Sequence, residues 1–289
     1  MSIIEKAIAK LNQSKQLNEH VIRNDVNLPE NSIQNNNQKP KSPEIQLKFS
    51  LETLSASGIV SPDEHAPYLS DEFRRIKRPL LNNAFGSSSK LVPNGNIIMI
   101  TSSLPGEGKS FTSVNLALSI ALEKDYTVLL VDADMAMTKL TRMFALEKRP
   151  GLTDKLQYPV LELNKIIIKT NFPGLSILPA GKKSTLATEL LASNVMKMLL
   201  NEIGNQYKNR IIIFDSPPLL VTPESAVLAE NMGQIVLVVE SNKTPQSAVM
   251  ESISLLNKDK AISLILNKSS RGVGYSNYEN YYSYGQDTK

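Results

Sequence analysis

The chain has 289 residues, 41% of them hydrophobic, enough for one or two globular domains. Its 32 Lys and Arg against 28 Asp and Glu leave a net charge of +4 with no polybasic block, too weak a pattern to point to nucleic acid. Cysteine is absent, which excludes disulfides, thiolate nucleophiles and zinc–sulfur sites. No run approaches the length of a membrane span, and the N-terminus lacks the apolar core of a signal peptide, so a cytoplasmic location is expected.

In chain order, Ile3, Ile4, Ala7, Ile8 and Leu11 recur at helical spacing and predict an N-terminal helix within residues 1–23 that presents one narrow apolar stripe. From Asn24 to about Pro43 the composition turns to Asn, Gln, Pro, Lys and Ser. So few large apolar groups cannot offset ordering entropy, and residues 24–69 are read as a flexible linker. Both histidines, His20 and His65, fall in polar stretches and read as surface residues. A second helix is expected over 70–81, capped by Ser70 or Asp71 and bent or restarted at Pro79.

From Asn96 onward, β-branched runs alternate with longer amphipathic ones. Residues 96–101, 127–132, 210–215, 234–240 and 261–267 read as strands, and 165–169 and 175–179 as two further short ones. Strands that are apolar on both faces and followed by helices predict an α/β fold over residues 70–268, with a mostly parallel central sheet flanked by helices. Between the first strand and a helix starting near Lys109 lies Ser103-Leu104-Pro105-Gly106-Glu107-Gly108-Lys109-Ser110. A Gly-rich loop in that context turns backbone N–H groups and a helix N-terminus toward a phosphate chain. Lys109 can then reach the β/γ-phosphates and Ser110 can hold Mg²⁺. Ser103 stands where the G-x-x-x-x-G-K-[ST] pattern has its first Gly. The nucleotide-binding set is taken as Ser103, Pro105, Gly106, Glu107, Gly108, Lys109, Ser110 and Phe111.

Two more strands end in acids, Val131-Asp132-Ala133-Asp134 and Phe214-Asp215. Ligands of an open α/β sheet bind at the carboxyl ends of its strands, so Asp132, Asp134 and Asp215 are expected beside the phosphate loop as magnesium and base candidates. The terminal segment 269–289 holds five of the nine tyrosines, Tyr275, Tyr278, Tyr281, Tyr282 and Tyr284, spaced by Ser, Asn, Glu and Gly without apolar periodicity. It reads as a disordered arm presenting phenols, and the scarcity of cations near the rings argues against nucleic acid. In a chain with a phosphoryl-transfer site, such an arm reads as a substrate.

These residues together resemble the bacterial tyrosine kinases, autokinases of capsule and exopolysaccharide export that are related in fold to the ParA/MinD P-loop ATPases. The resemblance runs from about Asp71 to the C-terminus. It rests on Pro105–Ser110 as Walker A, Val131–Asp134 as Walker A′, Phe214-Asp215-Ser216-Pro217-Pro218 as Walker B, and the tyrosine cluster. The Met-Ser-Ile-Ile-Glu-Lys-Ala-Ile start is similar to the exosortase-associated branch. The resemblance implies ATP and Mg²⁺ as cofactors, with Lys109 neutralising the β/γ-phosphates, Ser110, Asp134 and Asp215 holding the ion, and Asp132 as base. It also implies a homo-oligomer, possibly ring-shaped, packed through an E-x-x-R-x-x-R motif matched by Glu72, Arg75 and Arg78. Further implied partners are a membrane-embedded chain-length determinant, which would bring the chain to the inner membrane, and a tyrosine phosphatase. Many relatives carry basic residues after Walker A′, where this chain has Met135-Ala136-Met137.

The alternative reading is a ParA/MinD-type positioning ATPase. That class carries a signature lysine where Leu104 stands, and its MinD members end in a basic amphipathic helix in place of a tyrosine arm. A nucleotide-binding adaptor without turnover is a third reading, which the intact Lys109, Ser110, Asp132, Asp134 and Asp215 oppose.

Overall fold

The computed structural model describes residues 46–48, 67–87, 91–205 and 209–269. The N-terminal helix, both histidines, nearly all of the 24–69 segment and the tyrosines of the tail lie outside the described residues. Among the described residues eight strands form the sheet: β1 (Gln46–Leu47), β2 (Ile97–Ser102), β3 (Thr127–Asp132), β4 (Ile168–Thr170), β5 (Leu175–Leu178), β6 (Arg210–Asp215), β7 (Gln234–Glu240) and β8 (Ala261–Asn267). Between them run α1 (Pro67–Phe85), α2 (Lys109–Ala121), α3 (Lys139–Met143), α4 (Leu152–Gln157), α5 (Leu163–Ile166), α6 (Ala187–Ala192), α7 (Asn194–Asn205), α8 (Pro223–Ala229) and α9 (Gln246–Ser254).

The strand order is β1-β4-β5-β3-β6-β2-β7-β8, and every pairing is parallel except β4 with β5. The expected mostly parallel sheet between helices is therefore present. Side chains alternate across it with period two. Ile98, Ile100, Val128, Leu130, Ile211 and Ile213 face α1 and α2, whereas Met99, Leu129, Val131, Ile212 and Phe214 meet Met196, Leu199 and Ile203 of α7 and Leu228 of α8. Each of these buried apolar side chains contributes about 1.5–3 kcal/mol, which is why the central strands read as unbroken apolar runs.

Several local expectations change. The second helix begins at Pro67, so Ser70 and Asp71 are not its caps; Asp71 instead pairs with Arg74 at 2.7 Å. It also runs through Pro79 without restarting. Proline removes one backbone donor there. Phe73, Leu80 and Leu81, all buried against the sheet and α2, hold the helix together, with Lys77 donating to the Ser119 carbonyl at 2.7 Å and pairing with Glu123 at 2.8 Å. The run 165–169 divides: its start lies in α5, and only from Ile168 does the chain enter β4, antiparallel to β5. Within the segment read as a linker, Gln46–Leu47 pairs with Lys169–Thr170, a two-residue strand too short to announce itself.

Candidate active site

Three strand ends meet at one edge of the sheet. Strand β6 lies between β2 and β3, and its last residue, Asp215, is level with Ile100 on one side and Asp132 on the other. Asp215 thus stands between the phosphate loop that follows β2 and the Asp132-Ala133-Asp134 turn that follows β3. The backbone fastens the three together: Ala133 N–H donates to the Asp215 carbonyl at 2.8 Å, and Leu219 N–H to that of Ser102 at 2.8 Å.

The loop is shaped by its glycines. Gly106 and Gly108 both have left-handed φ, 86° and 104°, and Gly108 is the residue from which α2 starts. At Gly108 space is also short, since an added Cβ would lie 2.0 Å from Asn267 Nδ2. That amide donates to the Glu107 carbonyl at 2.8 Å, and Lys268 Nζ donates to the Gly106 carbonyl at 2.8 Å while pairing with Glu240 at 3.2 Å. Glu107 was expected among the nucleotide contacts, but its side chain is turned inward and only 2% exposed. One carboxylate oxygen accepts from Leu104 N–H at 2.6 Å and the other from the Thr244 hydroxyl. Its side chain is a strut that closes the loop, leaving the backbone N–H groups to face a ligand. Ser103, at the departed first glycine, is fully buried with a hydroxyl that has no partner.

Around the loop the charges converge. Lys109 lies on the first turn of α2. Burial pushes its pKa down, while Asp215 and Asp134 act in the opposite direction and Lys139 adds to the lowering. Asp215 is buried and bonded by the hydroxyls of Ser110 and Ser113, the latter at 3.1 Å. Its pKa is raised to about 6, chiefly by loss of solvent. Asp132 is completely buried, and Thr141 donates to its Oδ2 twice, from N–H at 2.7 Å and from the hydroxyl at 2.6 Å. Its pKa is raised to about 7, first by burial and then by Asp215. The other oxygen, Oδ1, has only a 3.3 Å contact from Asp134 N–H. Asp134 in turn accepts from Met137 N–H at 2.9 Å.

Lys109, Ser110, Asp132, Asp134 and Asp215 are therefore brought together as the strand-end argument requires. Hard oxygen donors beside a phosphate loop suit Mg²⁺. Among the described residues no three acidic or histidine side chains form a ready-made cage, and none is needed, because Mg²⁺ keeps several waters and takes one or two carboxylates plus phosphate oxygens. Glu72 and Arg75 are exposed on α1. Arg78 on the same helix pairs with Glu123 of its own chain at 3.1 Å.

Thr141, Ser113, Thr244, Asn267 and Lys268 escaped the sequence reading. Asn267 and Lys268 carried a usable signal, since they end an apolar strand at the same edge as the acids. Thr141, Ser113 and Thr244 carried none, because each acts on a partner through folding alone.

A family profile described as an AAA domain matches residues 95–268. Tyrosine-protein kinase YwqD of Bacillus subtilis is 31% identical over 229 residues, covering 78% of this chain and 91% of that protein. Tyrosine-protein kinase ptk of Acinetobacter johnsonii is 29% identical over 205 residues, 71% of this chain but only 27% of that longer protein. The kinase domain of the Escherichia coli tyrosine kinase ETK superposes with a TM-score of 0.55 at 26% identity, covering 78% of this chain and 97% of that one. MinD in the MinC:MinD complex of Aquifex aeolicus is a more distant relative in fold, with a TM-score of 0.50 at 22% identity over 64% of this chain and 71% of that one. With Walker A, Walker A′ and Walker B gathered at one sheet edge and these relatives sharing the sequence, the chain belongs to the bacterial tyrosine kinase family.

Proposed function

We propose that this chain is an ATP-dependent protein-tyrosine autokinase that phosphorylates Tyr275, Tyr278, Tyr281, Tyr282 and Tyr284 of its own terminal segment. The observation that carries the proposal is the gathering of Lys109, Asp132, Asp134 and Asp215 on one loop edge in a chain that also bears a tyrosine cluster. Lys109 and the loop N–H groups hold the β- and γ-phosphates. Ser110, Asp134 and Asp215 would hold Mg²⁺, which when bound neutralises charge on those phosphate oxygens. The tyrosine oxygen attacks the γ-phosphorus, the bond from that phosphorus to the β–γ bridging oxygen breaks, and ADP leaves with the electron pair. The phenol proton goes to Asp132, whose elevated pKa of about 7 suits a base at neutral pH.

In this reading transfer occurs between subunits of a ring in which Glu72, Arg75 and Arg78 of α1 meet a neighbour. The partners are a membrane-embedded chain-length determinant and a tyrosine phosphatase, and the outcome is control of exopolysaccharide or capsule chain length and export. No helix among the described residues is long and apolar enough to cross a membrane. In this reading the partner holds the chain at the inner membrane. The catalytic unit in this reading is residues 70–268, within which α1 supplies buried Phe73, Leu80 and Leu81. Intact-mass measurement of phosphatase-treated protein before and after Mg·ATP, with phosphopeptide mapping, tests the proposal. Added phosphates within 275–284 are expected, and label confined to other segments would overturn the substrate assignment.

A further inference from the structure

Beside the Walker A′ turn lies a cavity of about 480 Å³, lined among others by Met137, Thr141, Arg142, Glu147, Lys182 and Lys183. It is within the size range of small-ligand pockets. Three cations face one acid, Glu147, leaving positive charge in excess. The cations come from two segments that are separately fixed. Arg142 donates to the Met137 carbonyl at 2.5 Å. The 181–183 loop is anchored by buried Asp154, which accepts from Lys182 N–H at 3.1 Å and Gly151 N–H at 2.9 Å. At Gly181 the φ is 82° and an added Cβ would lie 2.3 Å from that carboxylate, so the loop closes on Asp154 only with glycine there.

Thr141 joins this cavity to the reacting groups. It forms part of the cavity wall, and its N–H and hydroxyl hold Asp132. The electrostatics change sign across it: three acids on one side, three cations on the other. A neutral phenol gains little from cations, whereas a phosphotyrosine carries about −1.5 to −2 charges and three acceptor oxygens. Residues 270–289 carry Arg271 and Lys289 against Glu279 and Asp287, so the unmodified segment has no net charge to draw it there. Once phosphorylated it does.

We propose that this cavity binds a phosphotyrosine of the chain's own terminal segment and so holds a partly modified tail while a neighbouring tyrosine reacts. The proposal rests on the autokinase reading above. The product phosphate, repelled by Asp132, Asp134 and Asp215, is caught by Arg142, Lys182 and Lys183, and exposed Met137 offers an apolar surface to its ring. The acceptor spacing fits this use. Among Tyr275, Tyr278, Tyr281, Tyr282 and Tyr284 every tyrosine has another within three residues, about 10 Å of extended chain. The first phosphate thereby primes the next, and modification of the cluster becomes processive.

The test uses dephosphorylated full-length protein saturated with Mg·ADP, which keeps peptides off the phosphate loop. Fluorescence anisotropy compares peptide 274–289 unmodified, the same peptide with phosphotyrosine at position 282, and an unrelated phosphotyrosine peptide. The phosphorylated tail peptide is expected to bind roughly tenfold tighter than either of the others, the scale of added charge-assisted contacts. In turnover with ATP it should show a correspondingly lower KM at similar kcat. The triple variant Arg142→Gln, Lys182→Gln, Lys183→Gln should lose this preference while keeping nucleotide affinity and its rate on the unmodified peptide. Equal binding of modified and unmodified tail, or a preference that survives in the triple variant, would overturn the site. Equal binding of the unrelated phosphopeptide would overturn its assignment to the tail. Absence of transfer to every peptide would sink the autokinase reading, and the binding comparison would still decide the cavity.

Discussion

The two halves of the reaction edge are built differently. On the nucleotide side, the phosphate loop is fastened from outside by residues of the β7–β8 edge: Thr244 and Leu104 on Glu107, Asn267 on the Glu107 carbonyl, Lys268 on the Gly106 carbonyl. On the acceptor side, the turn after Asp134 leaves Ala136 and Met137 exposed, passes through Thr138 at a left-handed φ of 46°, and opens onto a cavity. A rigid cradle suits a ligand that is always the same. An open turn suits one that arrives in several versions, as the five tyrosines of the proposed substrate segment would.

The bluntest way to break the comparison is at Lys109, which serves the fixed half. Lys109→Met should lower autophosphorylation by about three orders of magnitude or more, since the charge opposite the β/γ-phosphates is lost. Thermal unfolding should stay close to wild type, because this side chain is only partly buried. Phosphotyrosine signal and melting temperature, measured on one preparation, check both parts.

Asp132→Asn probes the junction. Nucleotide affinity should remain within roughly tenfold while the rate of tyrosine phosphorylation falls by about a hundredfold, the scale of a lost general base. Single-turnover kinetics with labelled ATP separates the two. An unchanged rate would move the base role to another group.

The same residue carries a stability signature of opposite direction. With its folded pKa at about 7, well above the ordinary 3.8, Asp132 holds its proton better folded than unfolded. It therefore contributes stability that is fully present below pH ~4 and is lost as pH rises through about 7. In magnesium- and nucleotide-free buffer, Asp132→Asn should be more stable than wild type at pH 8, by on the order of 2 kcal/mol. The difference should shrink toward pH 5. Urea unfolding at the two pH values measures it, and a pH-independent difference would show that Asp132 is not titrating.

A smaller effect sharpens the view of Glu107 as a strut. Glu107→Ala removes the acceptor of Leu104 N–H and of the Thr244 hydroxyl, and should weaken nucleotide binding by roughly tenfold. Thr244→Val should do the same to a lesser degree. Calorimetric titration with ADP would show it; no change in either variant would mean that the loop keeps its shape without Glu107.

The legible parts of this chain were those in which a local pattern had one physical cause. Thr127–Asp132, Arg210–Asp215, Gln234–Glu240 and Ala261–Asn267 stand as strands with the bounds their apolar runs imply, because burial on both faces leaves a mark at every residue. The acids at their ends followed from where open sheets bind ligands. What stayed hidden depended on distant partners. Glu107 looks like a loop acid until Thr244, 137 residues away, is beside it. Pro79 reads as a break until the pairing of buried Lys77 with half-buried Glu123 shows what α1 is fastened to. Arg142 and Lys182 are unremarkable cations until two loops bring them to one cavity.

That anchoring of α1 also bears on where the domain begins. The family profile starts at residue 95, after the helix has ended. Yet Phe73, Leu80 and Leu81 cover the sheet face formed by Ile98, Ile100 and Val236, and Lys77 is the buried counter-ion of Glu123. A fragment cut at the profile boundary would uncover the part of that sheet face that α1 covers and strip a partner from Glu123. The family profile needs only the segment from 95 onward, whereas a covered sheet face needs Phe73, Leu80 and Leu81 as well, so the helix that carries the proposed subunit contacts is also part of the core beneath it.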